Sequence, residues 1–158
     1  MNNMDNQKFI KIYEKNTDHI YQICYMYLKN KHDAEDATQN TFIKLYNKNI
    51  EFESEQHTTA WLIVTASNIC KNNLKYWFRS KTTTLDIDIK EDTKEDNILE
   101  LILQLPEKYK LTLYLYYYLG YKTKEISQIL GINESTVRSH LSRGRDSLKN
   151  IIKEEIYE

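Results

Sequence analysis

Along most of this chain apolar residues recur at intervals of three and four, the spacing of an α-helix that buries one side. Only Leu85, Ile87 and Ile89 alternate as a strand would, and no partner strand is visible. The first helical stretch, from about Asp5 to Leu28, carries Phe9, Ile12, Tyr13, Ile20, Ile23, Tyr27 and Leu28. Asn30-Lys31-His32 interrupts it. Asp33 is then expected to cap a second helix running to about Asn47, with Glu35 and Asp36 at the positive end of its dipole. This helix turns Phe42 and Leu45 inward with Ala34, Ala37 or Thr41. A third helix is expected from Thr59 to about Arg79, with Leu62, Ile63, Ala66, Ile69, Cys70, Leu74 and Trp77 on one arc. Its opposite arc holds Asn68, Lys71, Asn72, Lys75 and Arg79, with Trp61 at the N-terminal end.

The last third of the chain carries the most specific pattern. Thr123 opens a short helix with Ile126, Ile129 and Leu130 at helical spacing, and Gly131 can supply the positive φ that ends it abruptly. Asn133 is placed to cap the next helix, whose narrow apolar face holds Val137, Leu141, Leu148 and Ile152. At about 100° per residue the other face holds Ser135, Ser139, Ser142 and Arg143. Short hydroxyls and an arginine suit the edges of bases in a DNA major groove, so two helices about a tight turn read as a helix-turn-helix. The bland reading is a pair of packed helices with a polar surface. Against it stand the short spacing, the cap and the basic run Arg138, Arg143, Arg145 and Lys149. His140 adds little charge at neutral pH. Gly144 costs helix stability, and on the inward arc it is expected to permit close approach to the first helix of the pair.

Composition narrows the class. Three glycines and one proline among 158 residues exclude a turn-rich β fold, leaving an all-α protein. No apolar run is long enough to cross a bilayer and Met1–Ile10 lacks a signal-peptide pattern, so a cytoplasmic protein without membrane insertion is expected. Cys24 and Cys70 stand apart without metal-ligand spacing and read as reduced core thiols; no metal or cofactor is expected. No nucleophile–base constellation or Gly-rich phosphate loop is present, which argues against an enzyme.

The net charge of −1 hides segregation. Residues 54–81 carry Lys71, Lys75, Arg79 and Lys81 against Glu55, whereas residues 82–100 carry seven acids against Lys90 and Lys94. Residues 101–158 carry nine bases against seven acids. Local stripes rather than the total decide contact with phosphates. The acidic run Thr82–Asn97 lacks helical periodicity and reads as a flexible tether. Two small helical domains are therefore expected, 1–80 and 98–158, joined by an acidic linker 81–97, with Leu105-Pro106-Glu107 starting a helix in the second. The basic, amide-rich arc of the third helix, with Trp61 at its mouth, has the character of a surface that tracks single-stranded nucleic acid; a solvated lysine face is the plainer alternative. The polar segment from Glu53 to Thr59 is a loop suited to an unpaired base.

Two blocks of motif resemble the small two-domain, extracytoplasmic-function type of bacterial RNA polymerase sigma factor. DAEDATQNTF from Asp33 to Phe42 is similar to the family's DAEDLVQETF, and Trp61-Leu62, Ala66 and Asn68 fall where it writes WL…A.N. LPEKY from Leu105 and EISQILGINESTVRSHLSRGRDSL from Glu125 are similar to its LPEKYR…EIAEILGIS.GTVKSRLSRARKKL. The resemblance implies a promoter-recognition subunit without catalysis of its own. Asp33, Glu35, Asp36, Gln39, Asn40 and Phe42, of which Gln39 and Phe42 are expected partly at the surface, would dock on core RNA polymerase at the clamp of its largest subunit. The C-terminal domain would meet the flap of the second largest. Ser54, His57, Thr58, Trp61, Asn68, Lys71, Asn72, Lys75 and Arg79 would hold the minus-ten promoter DNA as a single strand. Ser135, Thr136, Arg138, Ser139, Ser142 and Arg143 would read the minus-thirty-five duplex. An anti-sigma factor is a further implied partner. The departures are Asn40 for a usual glutamate, Ser67, Asn72 and Asn73 for Arg, Asp and Arg, His140 for arginine and Gly144 for alanine. The competing class is a free-standing helix-turn-helix regulator whose N-terminal helices dimerise or sense a ligand.

Overall fold

The computed structural model describes residues 4–48, 51–80, 101–102 and 104–157, with backbone alone for 77–80 and 155–157. The expected acidic linker 81–97 and the start of the second domain at Ile98 lie outside these residues. All regular structure among the described residues is helical, and the chain divides into two compact units, Met1–Asp88 and Ile89–Glu158.

The first unit is built from α1 (Asn6–Leu28), α2 (Lys31–Asn47) and α3 (Glu55–Ser80), each packed on the other two. Ile20, Ile23 and Cys24 of α1, Ala37, Phe42 and Leu45 of α2, and Leu62, Ile63, Ala66 and Cys70 of α3 form its core. The thiols of Cys24 and Cys70 meet there, and that hydrogen bond holds the Cys24 thiol below its usual pKa against the opposing effect of burial. One polar group is built into the seam: buried Asn16 donates Nδ2 to the Ile12 carbonyl at 2.9 Å and accepts from the Thr59 hydroxyl at 2.9 Å, so its amide is satisfied.

Two helix starts differ from the sequence expectation. Lys29 takes the left-handed conformation (φ 55°) and ends α1, leaving one residue before α2. The cap is therefore Asn30, whose side chain accepts from the Asp33 N–H at 3.0 Å; Asp33 lies inside the first turn. Helix α3 begins at Glu55, a full turn before Thr59. Ser54 starts it: its hydroxyl accepts from the His57 N–H at 3.2 Å and its carbonyl from the Thr58 N–H at 3.2 Å. An ion pair from Lys15 to Glu55 ties that first turn to α1. His57, Thr58 and Thr59 are thus helical, not loop.

In the second unit α4 (Glu107–Leu113) starts after Pro106 and runs into a π-helical turn, Tyr114–Tyr118. Gly120 (φ 72°) turns the chain into α5 (Thr123–Leu130), and Gly131 (φ 67°) separates α5 from α6 (Glu134–Tyr157). α6 packs on α4 and on α5, burying Tyr109, Leu113, Ile126, Val137 and Leu141. The inward face of α6 fades after that: Leu148 is half-buried and Ile152 is 37% exposed. Gly144 does mark a close approach, but the neighbour is α4 rather than α5. A Cβ there would meet Leu113 Cδ1 at 2.9 Å and Tyr109 Cβ at 3.2 Å.

Two stability outcomes follow from the packing. Phe42→Ala removes a ring that meets Tyr13 at 4.9 Å and Phe9 at 6.4 Å, and is expected to cost about 3–5 kcal/mol. Both tryptophans, Trp61 and Trp77, lie in the first unit, so a lowered urea midpoint in tryptophan fluorescence reads that loss. Gly144→Ala gains about 0.5–1 kcal/mol of helix propensity but overpacks against buried Leu113 and Tyr109, a cost of about 1–3 kcal/mol, so destabilisation is the expected net result. Circular dichroism of the variant, melting earlier than the parent, is the check.

Candidate nucleic-acid interface

The turn between α5 and α6 is held by local bonds that set the two helices as the sequence suggests. Gly131 and Ile132 both donate to the Ser127 carbonyl, at 3.0 and 3.2 Å, and the Ser127 hydroxyl reaches the Ile132 carbonyl. The Glu125 carboxylate accepts from the Lys122 N–H at 3.0 Å at the start of α5. Glu134 bridges the helix starts, accepting from the Thr123 hydroxyl at 2.9 Å and lying 3.4 Å from Arg138.

On α6 the residues Ser135, Arg138, Ser142 and Arg143 are exposed, and Thr136 and Ser139 are half-buried on the same side. The basic run is not uniform. Arg138 is engaged by Glu134, and Arg145 donates to the Tyr117 hydroxyl at 3.1 Å, which draws it to the π-helical turn. Arg143 makes no hydrogen bond or ion pair among the described residues. His140 lies edge-on against Tyr109 with centroids 5.6 Å apart, its buried Nδ1 without a hydrogen-bond partner among the described residues. Burial, then Lys108 and Arg143, push its pKa below the usual histidine value, so it is neutral at pH 7. It is a packing residue.

On α3 the residues Asn68, Lys71, Asn72 and Lys75 are all exposed along one side. The Arg79 side chain lies outside the described residues. Ser67, in contrast, is buried, so the missing arginine there does not subtract from this stripe. Trp61 is half-buried at the head of the stripe, 5.9 Å from the Phe52 ring and 5.5 Å from Lys48 Nζ. Of the supposed base-contacting loop, His57 is exposed and sits 3.7 Å from Glu53. Ser54 is exposed but spends its oxygens on the helix cap. Thr58 is only 6% exposed and bonds back to Ser54, so it offers no surface to a base.

The α2 residues divide likewise. Glu35, Asp36, Gln39 and Asn40 are exposed, Asp36 lying 3.5 Å from His32, and Asp33 is half-buried beside its cap. Phe42 is 2% exposed, which corrects its surface placement: the inward pattern prevails because Phe9 and Tyr13 close over the ring. What sequence reasoning missed is the apolar groove beside Gln39, edged by Ile10, Tyr13 and Ile43, which are 52%, 41% and 54% exposed. Its signal was available: α1 and α2 carry more apolar positions than one inward arc can hold.

Among the described residues no helix is long and apolar enough to cross a membrane. The family pattern "Sigma-70 region 2" matches residues 12–80 and "Sigma-70, region 4" matches 95–148, together most of the chain. The chain is 29% identical to the ECF RNA polymerase sigma factor SigW of Bacillus subtilis, over 95% of this chain and 91% of that protein. It is 28% identical to SigM of the same organism, over 88% and 91%. In fold it is similar to the sigma factor RpoE of Bartonella quintana, solved with the anti-sigma factor NepR, with a TM-score of 0.78 at 18% identity over 93% of this chain and 98% of that one. CnrH, solved with the cytosolic domain of CnrY, gives a TM-score of 0.70 at 15% identity over 94% and 90%. With two region patterns in order and full-length relatives of one kind, the chain belongs to the sigma-70 family of RNA polymerase sigma factors, as a member of the ECF type.

Proposed function

We propose that the chain binds core RNA polymerase and directs promoter-specific initiation, with no catalytic activity of its own. The observation that carries this is the pair of outward polar faces, on α3 and α6, held on two separate compact units. In this reading the domains are 1–80, an acidic linker 81–97, and 98–158. Glu35, Asp36, Gln39 and Asn40 on α2 meet the clamp of the largest polymerase subunit, and the second unit meets the flap of the second largest. Phe42 acts by holding α2 in shape. Trp61, Asn68, Lys71, Asn72, Lys75 and Arg79, with His57, take the minus-ten element as a single strand. Ser135, Thr136, Arg138, Ser139, Ser142 and Arg143 enter the minus-thirty-five major groove.

The energetics favour a division of labour. Each lost stacking step of the duplex costs about 1–2 kcal/mol, which aromatic and amide contacts to unpaired bases partly offset. Duplex contact by α6 adds effective concentration through the tether once polymerase fixes the spacing. An anti-sigma protein is a fitting further partner, since the structural relatives RpoE and CnrH were solved with NepR and CnrY. The site of action is the cytoplasm, where polymerase works. A free-standing regulator would account for α5 and α6 but not for the exposed stripe on α3.

Reconstitution with core polymerase and run-off transcription on a genomic library test the reading. A stable complex that initiates at discrete promoters is expected, with weak promoter binding by the free chain. Tight binding of an operator by the chain alone, with no complex, would overturn it. Gln39→Ala should weaken the complex while leaving tryptophan fluorescence and the urea midpoint unchanged. Arg143→Ala should weaken minus-thirty-five recognition by about 1–3 kcal/mol and relax the base preference at one position, read by sequencing selected promoters.

A further inference from the structure

Helices α1 and α3 run in the same direction, since Asn16 bonds to Thr59 and Cys24 meets Cys70 further along both. The two ends of this seam differ in kind. At the far end it is apolar, with Ile20, Ile23, Cys24, Ala66 and Cys70 fully buried. At the near end it is directional. Asn16 is 5% exposed, donates Nδ2 to the Ile12 carbonyl at 2.9 Å and receives the Thr59 hydroxyl at 2.9 Å. The bond to Ile12, one turn back on α1, fixes the amide before it reaches α3. The Lys15–Glu55 ion pair stands beside it, one turn earlier on α3. Apolar contacts set how closely two helices lie but carry no direction, whereas a hydrogen bond weakens steeply with distance and angle. A single buried asparagine sets register in coiled coils on the same principle, at some expense of stability.

We propose that Asn16, through its bond to Thr59, is a positioning residue that fixes the rotation of α3 and so aims Trp61, Asn68, Lys71 and Lys75. The proposal rests on the reading of α3 as the single-strand surface and adds the device that orients it. Side-chain tips stand about 5–6 Å from a helix axis, so a turn of about 20° would move the outer face of α3 by about 2 Å. Such a shift leaves most of an apolar seam in contact yet takes a hydrogen bond out of reach. The pin sits at the right end of α3 for this role: Trp61 follows Thr59 by two residues, and its ring already leans on Phe52 and Lys48.

The test pairs two shape-matched swaps, N16L/T59V, which remove both partners of the bond and leave neither polar group buried alone, so stability is expected to hold. Reconstituted holoenzyme is titrated with a fluorescent pool of single-stranded oligodeoxynucleotides of randomised sequence. The urea midpoint of the free chain is read by tryptophan fluorescence. N16L/T59V is expected to keep the parental midpoint and complex with core polymerase while lowering single-strand affinity roughly tenfold. Thr59→Ser keeps the hydroxyl and should retain parental affinity. Thr59→Val alone strands the Asn16 oxygen and should lower both midpoint and affinity. A double-mutant cycle separates aim from support. K71Q/K75Q should weaken binding roughly tenfold in the parent but only about twofold in N16L/T59V, where the lysines are already misaligned. Equal effects in the two backgrounds, parental affinity of N16L/T59V, or a loss of its affinity matched by a loss of midpoint would each overturn the proposal while the α3 reading stands. If K71Q/K75Q changes nothing in the parent, the α3 reading fails and the proposal falls with it.

Discussion

A helix in a body of two or three helices can bury only one of its arcs, and that constraint assigns the surfaces of this protein. Once Leu62, Ile63, Ala66 and Cys70 are committed to the seam with α1 and α2, Asn68, Lys71, Asn72 and Lys75 are left outside. Once Val137, Leu141 and Gly144 are committed to the other body, Ser135, Ser142 and Arg143 have nowhere else to point. The surfaces proposed for recognition are thus complements of the cores. Burial of apolar arcs supplies the stability, and the outward residues are free to vary with the DNA they meet. Phe42 shows the rule from the other side: its position in a polar-looking motif did not keep it from the core.

What was legible in the residues was local chemistry. The turn between α5 and α6 could be read because a glycine there has one strong conformational reason to be present, and Gly131 indeed takes a positive φ. The stripe on α3 could be read because periodicity alone divides the helix. The helix starts were harder, since Asn30 and Asp33 are both good caps, as Ser54 is for α3. The choice between Asn30 and Asp33 was made by the left-handed Lys29 that ends α1 one residue earlier. Tertiary facts left no local trace. Nothing in the residues around Gly144 says that Leu113 and Tyr109 lie under it, and nothing in Tyr-Leu-Tyr-Tyr-Tyr announces a π-helical turn.

Counting bases along α6 overstates its charge. Glu134 draws on Arg138, Tyr117 holds Arg145, and His140 is neutral against Tyr109. Arg143 is the guanidinium on that side left without a hydrogen bond or ion pair among the described residues, and in the proposed reading it stands among hydroxyls that would read base edges but bring no counterion release. Such a face discriminates better than it binds. The α3 stripe is similar in kind, its exposed Lys71 and Lys75 sharing the face with the exposed amides Asn68 and Asn72.

Two modest surfaces make sense only when joined. A single weak face on a free chain of net charge −1 would be lost among non-specific sites, because phosphate neutralisation supplies most of non-specific affinity and this chain has little to spare. Held at fixed spacing by a large partner, the second contact becomes intramolecular, and its free energy adds without a second translational cost. Weak charge then becomes an advantage, since occupancy of DNA depends on the partner being present.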